Sequence, residues 1–305
     1  MVARIAHVRG DVAWQRVRSG CAGNHAQPVL NQRLVSGRFL IITADDFGLS
    51  DAVNEAVRQA TLGGILTAAS LMMGEPATRA AVRIAEVLPR LRVGLHLVLV
   101  DGHSVLPPRR IPDLVDANGR FSNAMVLNSF RFVTSKRVRA QLAAEIRAQF
   151  EAFAATGLTL DHVNAHKHFH LHPLILELVL RIGGEFGLSA VRVPKEPFWY
   201  CGLQGGATSA AFLAPWLALM RVRLRARRVR VNDQVFGLSA TGWLDTLHLL
   251  DIVTRLPPGV TEIYLHPSVG NEELVALVDP KVRAAVAASG AEYGGYRDLG
   301  TGTTK

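Results

Sequence analysis

From Arg38 onward the chain falls into short apolar runs separated by longer stretches with helical spacing. Phe39-Leu40-Ile41-Ile42-Thr43-Ala44 is a compact, β-branched run of the kind a strand buried on both faces requires. After Asp45-Asp46-Phe47-Gly48-Leu49, Ser50 can cap a helix running to about Leu62, where Gly63-Gly64 stops it. The same alternation predicts a strand over 65–72, a helix over 77–88 and a strand over 91–98. A helix capped by Ser135 is expected over 136–156, a strand over 158–164, and a helix opened by His172-Pro173 with proline in its first turn. Strands over 190–194, 234–239 and 261–266, with a helix over 242–256, complete the series. Residues 99–135, rich in Pro, Gly and Asn, read as a long loop insertion, and 197–233 as an irregular one. Residues 1–37 lack sustained periodicity and read as a flexible N-terminal extension. Seven strands alternating with helices predict a single α/β domain over 38–305 with a parallel sheet, open or closed into a barrel.

Composition narrows the classes. With 305 residues, 49% hydrophobic and 19% charged, the chain can bury a sizeable core and is not wholly disordered. No apolar run reaches the roughly 18 residues of a membrane span. The nearest, 210–220, carries Pro215. The N-terminus is basic without a continuous apolar core, a poor secretory signal, so the cytoplasm is the expected compartment. Cys21 and Cys201 make neither a disulfide framework nor a metal cluster. Of the net charge of +9, residues 1–38 carry +5 and 221–230 carry +6, which leaves −2 for everything else. A nucleic-acid-binding domain would spread its charge over a folded face, so no nucleic-acid partner is expected.

Ionisable residues gather at the strand ends. Asp45 and Asp46 follow the first strand and His96 lies near the end of the third. His166, His168, His170 and His172 follow the fourth, Arg192 is on the fifth and His266 ends the seventh. The carboxyl ends of parallel strands are where barrels and open α/β sheets carry their active sites. Singly, each has a plain reading: the aspartates as a helix cap, His96 as a core imidazole, Arg192 as a surface ion-pair partner, His266 as a loop residue. The segment 161–172, with five histidines in twelve residues, suits a divalent transition metal better than chance composition. Together the residues make a workable hydrolase. Asp46, His96 and His166 would hold one divalent metal cation, magnesium or zinc, with positions open for water and substrate. Asp45 would serve as base and His266 as acid, and Arg192 would hold the base in place with a low pKa.

These segments also carry a resemblance. Residues 43–50 (TADDFGLS), 94–97 (GLHL), the histidine-rich stretch 161–172 and 264–267 (YLHP) resemble the YdjC-like carbohydrate deacetylases, over about 38–299. The resemblance implies a distorted (β/α) barrel of the NodB-like glycoside hydrolase/deacetylase type with about seven parallel strands. It implies removal of N-acetyl groups from sugars with a divalent cation, and the same ligands, base and acid. His168 and His170 then stand as substrate-binding candidates. Residues 62–72, 94–101 (GLHLVLVD), 111–116 (IPDLVD), 161–173 and 191–194 (VRVP) resemble more narrowly the hopanoid-biosynthesis branch, HpnK. That implies an N-acetylglucosaminyl hopanoid, a bacteriohopanetetrol glycoside, as substrate. The 1–37 extension is foreign to the family pattern.

Partners follow from the same reading. An N-acetylated glycolipid or oligosaccharide is the expected substrate, and a homodimer is a further expectation. The apolar stretch before RVRLRARRVR suggests peripheral contact with an anionic inner-membrane leaflet through 210–230, although arginines spaced by two would scatter around a helix. Two alternatives stay open: a deacetylase of soluble chito-oligosaccharides, and a non-catalytic basic membrane- or nucleic-acid-binding module.

Overall fold

The computed structural model describes residues 37–203 and 207–300, without the side chains of 201–211. The expected extension, apart from Gly37, lies outside the described residues. The first strand, β1 (Arg38–Phe47), pairs in parallel with β2 (Ala68–Leu71) on one side and β6 (Gly259–Leu265) on the other. β2 continues to β3 (Arg92–Leu97) and β4 (Val163–Ala165), and β6 to β5 (Gln234–Phe236), all parallel. The 190–195 segment spans the open edges: Val191 bridges Val163 of β4, Ala190 bridges Arg230 ahead of β5, and Val235 N of β5 donates to the Lys195 carbonyl at 2.9 Å. Seven staves thus close a distorted (β/α) barrel, and each overlaps a strand expected from sequence, although β4 takes only the end of the expected 158–164 and β5 only the first half of 234–239. The closing staves are held by few backbone bonds. Asn232 supplies a side-chain substitute, accepting from Val193 N at 2.7 Å and donating to Val193 O at 2.8 Å. A short β7 (Glu292–Tyr293) pairs with the start of β1.

Period two along each stave sorts side chains between barrel interior and outer layer. On β1, Leu40, Ile42 and Ala44 face the helices. Phe39 and Ile41 join Ala68, Ala190, Val260, Tyr296 and Leu299 in a small inner core at the amino ends of the staves. Above that plug the interior turns polar: Thr43, Asp45, Ser70, His96, His162, Asn164, Arg192 and Glu262 are all buried. The outer layer includes α1 (Asp51–Gly63), α2 (Thr78–Glu86), α4 (Lys136–Ala155), α5 (Pro173–Glu185), α8 (Thr246–Thr254), α9 (Glu272–Val278) and α10 (Pro280–Ala288). Ser50 and Ser135 cap α1 and α4 by accepting from Val53 N and Val138 N.

Two expectations are corrected. The 99–135 insertion is not simply a loop: it carries α3 (Met125–Thr134), a 3₁₀ turn at Pro108–Arg110 and two antiparallel bridges. Residues 197–233 are not irregular either, holding α6 (Phe198–Leu203) and α7 (Ala207–Ala226). The helical signal in α7 lies in its apolar positions rather than its arginines. Leu213, Leu217, Met220 and Leu224 recur at intervals of four, three and four residues and pack with Leu176, Leu180, Val191 and Val193. Part of the arginine run is engaged in the fold: Arg221 and Arg225 pair with Asp233, and Arg227 pairs with Glu177. Arg223 lies over the Trp216 ring.

Candidate active site

Successive residues of a strand face opposite sides, yet Asp45 and Asp46 both reach the barrel mouth. The backbone explains this. Asp46 has φ +61° and the β1–β2 register slips between Ala44 and Phe47, so a bulge rotates Asp46 back toward the interior. A second left-handed turn follows β4, where Lys167 (φ 52°) and His168 (φ 54°) bend the chain sharply after His166. Such backbone is costly for non-glycine residues and persists where surrounding structure enforces it.

These two turns bring Asp46, His96 and His166 together. Asp46 Oδ1 lies 3.1 Å from His96 Nε2 and 2.9 Å from His166 Nδ1. One ligand atom from each residue falls within 4.8 Å of the others, a set able to hold a metal ion. The surrounding hydrogen bonds test that fit. Asn164 Nδ2 donates to Asp45 Oδ1 and to Ser70 Oγ, each at 3.0 Å, which turns Asn164 Oδ1 toward His96 Nδ1 at 2.7 Å. His96 therefore carries its proton on Nδ1 and presents a lone pair from Nε2, a buried atom with no hydrogen-bond partner among the described residues. Two acceptors face one another across 3.1 Å, an arrangement that a cation between them satisfies. Formal charge agrees. Asp45, Asp46 and Glu262 set three carboxylates against the one guanidinium of Arg192, a net of two negative charges suited to a divalent ion.

Asp45 is held from behind. Arg192 NH1 and NH2 donate to its two oxygens, and Arg192 Nε and NH2 donate to Glu262 at 2.9 and 2.8 Å. Glu262 is itself fixed by Thr43 Oγ1 at 2.7 Å and Tyr296 Oη at 2.6 Å. Burial pushes the Asp45 carboxyl up, but Arg192, with His96 and His266, outweighs it and holds the pKa well below the usual carboxylate range. Burial likewise opposes the His96 imidazolium, yet Asp45 and Asp46 raise its pKa overall, the same field that favours a bound cation.

The remaining expected residues take distinct places. His266 follows β6 at the mouth. Its backbone N–H is anchored to Glu273 Oε2 and its carbonyl to Asn271 at 3.0 Å, while the ring Nδ1 has no hydrogen-bond partner among the described residues. His168 Nε2 meets Tyr264 Oη at 3.0 Å, and the Arg192 guanidinium lies 4.6 Å from the Tyr264 ring centroid. His170 is only 1% exposed, and its Nε2 donates to the Arg192 carbonyl at 2.9 Å, so it faces a barrel stave rather than the open mouth. Of the other histidines in the cluster, His162 bonds Ser70 and Asp161 inside the barrel, and His172 caps α5. Asn164, Glu262 and Tyr264 were not singled out from sequence. Their signal was parity: Asn164 lies midway between His162 and His166, and Glu262 and Tyr264 precede His266 at the same two-residue spacing.

The chain is similar to several known proteins. A carbohydrate deacetylase of Brevibacillus brevis is 38% identical over 165 residues, 54% of this chain, which thus spans about three fifths (61%) of that protein's length. One of Geobacillus stearothermophilus is 29% identical over 278 residues, 86% of this chain and 98% of that protein. A solved protein of Enterococcus faecalis, named for cellobiose-phosphate cleavage, superposes with a TM-score of 0.69. It covers 87% of this chain and 99% of its own at 22% identity, a likeness of fold. The family described as YdjC-like protein matches residues 39–293, nearly the whole barrel, and the chain belongs to it.

Proposed function

We propose that this protein is a metal-dependent carbohydrate N-deacetylase that removes acetate from an N-acetylglucosaminyl hopanoid to leave the glucosaminyl lipid. One observation carries the chemistry: a carboxylate and two imidazoles whose ligand atoms converge stand beside a second carboxylate fixed by a buried arginine. The curated relatives named carbohydrate deacetylase support the reaction class. The hopanoid acceptor rests on the five segments that resemble the hopanoid branch.

Held by Asp46, His96 and His166, a divalent cation, magnesium or zinc, supplies Lewis acidity toward water and the acetamide carbonyl. Asp45 takes the proton of the attacking water as the new C–O bond forms. Its carboxylate stays ionised because Arg192 neutralises it, and it keeps its aim because both its oxygens are engaged. His266 gives a proton to the departing nitrogen as the C–N bond breaks, so the products are acetate and the free amine. His168, on the Tyr264 hydroxyl, contacts the sugar, whereas His170 positions the stave that bears Arg192. The proposed site of action is the cytoplasmic face of the membrane. Among the described residues no helix is long and apolar enough to cross it.

The test is acetate release by metal-reconstituted protein from N-acetylglucosaminyl bacteriohopanetetrol and from chitobiose. The proposal expects acetate from the hopanoid. Acetate from chitobiose alone would retain the reaction and overturn the lipid acceptor, and none from either, with metal bound, would overturn the activity.

A further inference from the structure

The helix α3 in the 99–135 insertion is built inside out on one side. Its inner face, Asn128 and Phe132, is buried. Its outer face carries Val126, Phe130 and Val133, which are 87%, 65% and 59% exposed, with Leu127 beside them at 59%. Positions 126, 130 and 133 fall at i, i+4 and i+7, one continuous stripe on a helix. Scattered single hydrophobics on a surface need no explanation, whereas an ordered apolar stripe facing solvent does.

Charge around the stripe identifies what covers it. From residue 117 to residue 144 there is no acid, while Arg120, Arg131, Lys136, Arg137 and Arg139 are basic. Arg120 pairs with Asp101 and Arg137 with Asp113, so the stripe keeps an excess of positive charge. Arg139 reaches back to the Val133 carbonyl at 2.6 Å, which sets a guanidinium at the carboxyl end of the stripe, and Lys136 is exposed just beyond it, beside Arg137, which is exposed and paired with Asp113. Apolar side chains bordered by cations suit the interface of a bilayer with anionic headgroups.

Placement links this surface to the site. Phe132 packs against Phe169 and His172, with ring centroids 5.7 and 5.9 Å apart. Lys167, immediately after His166, donates to Asn123 Oδ1 at 2.7 Å, just ahead of α3. The helix therefore rests on the turn that presents His166.

We infer that α3 is a membrane-docking element, which lays Val126, Phe130 and Val133 into an anionic leaflet and brings the barrel mouth to lipid-borne headgroups. The inference deepens the lipid reading of the substrate. It is read by binding rather than turnover, so the failure of either is seen separately.

The experiment is co-sedimentation of the full chain with vesicles of phosphatidylglycerol and phosphatidylcholine, and with phosphatidylcholine alone. The parent protein is expected in the pellet with the anionic vesicles. The triple variant Val126→Ser/Phe130→Ser/Val133→Ser is expected to bind at least about tenfold more weakly, with melting temperature and metal content unchanged. A Lys136→Gln/Arg137→Gln/Arg139→Gln variant should lose the preference for phosphatidylglycerol. An Arg223→Gln/Arg228→Gln variant, altered in the other basic segment, should bind like the parent. A parent that stays in the supernatant, or a stripe variant that sediments with it, would overturn the inference. So would a dimeric parent, unbound by lipid, that the stripe variant converts to monomer, because a second copy would then cover α3.

Discussion

The guanidinium of Arg192 donates to both carboxylate oxygens of Asp45, and it does so from a fully buried position shared with Glu262. A bidentate pair of this kind fixes direction as well as charge. Asp45 cannot rotate without breaking two charge-assisted hydrogen bonds, while Asp46, one residue on, is free of Arg192 and faces His96 and His166.

That division separates base from ligand. Asp45→Asn should keep metal content near that of the parent while kcat/KM for deacetylation falls about 10²–10⁴-fold, the usual contribution of a general base. His166→Ala should lose metal and activity together. Elemental analysis alongside acetate release distinguishes the two, and an Asp45→Asn protein with undiminished turnover would remove Asp45 from the mechanism.

Arg192→Lys retains the positive charge but not the planar fork that reaches Asp45 and Glu262 at once. The expected outcome is a fall in kcat on the order of 10²-fold with metal affinity little changed, because the base loses its orientation. A KM effect without a kcat effect would point instead to substrate binding. The protein should also lose stability, measured by urea denaturation, since the second buried carboxylate is left poorly paired.

Gly94 lies beside His162, and a Cβ there would stand 2.6 Å from the His162 ring and from its backbone oxygen. Both are held, the ring by Ser70 and Asp161 and the oxygen by Leu95 N–H. Gly94→Ala should therefore destabilise the fold by about 1–3 kcal/mol, the typical cost of overpacking a closed interior, with a matching drop in urea midpoint.

His170 supplies a pH dependence. Burial lowers its pKa from the ordinary 6.5 to about 4, despite the opposing hydrogen bond to the Arg192 carbonyl. The unfolded chain thus binds a proton more readily than the folded one. Stability from this group is complete above about pH 6.5 and falls as pH drops toward 4. Between pH 7 and pH 5 the loss should be about 2 kcal/mol. Urea titrations at the two pH values should show it, and a His170→Asn protein should show a shallower pH slope.

How much was legible in the sequence differs from element to element. All seven staves stood out because period two and β-branched runs are local signals. Ser50, Ser135 and His172-Pro173 marked helix starts because caps act within one turn. The helix α7 was obscured because the six-arginine run 221–230, which begins inside it, drew attention to period two, while the apolar positions 213, 217, 220 and 224 carried the helix. The helix α3 lay in a stretch whose Pro, Gly and Asn content resembles that of a loop.

By itself, the sequence determined the order of the seven staves, most of the helices between them, and the polar residues that the staves deliver to their carboxyl ends. All depend on spacing along the chain. Only the tertiary structure decided which residues meet. The left-handed Asp46 turned two adjacent aspartates to one mouth, and closure of the barrel brought Glu262 within reach of Arg192 across 70 residues. It also gave the clustered histidines separate tasks, from facing Asp46 to capping α5. Such pairings depend on backbone turns and on contacts between distant segments, for which local periodicity has no term.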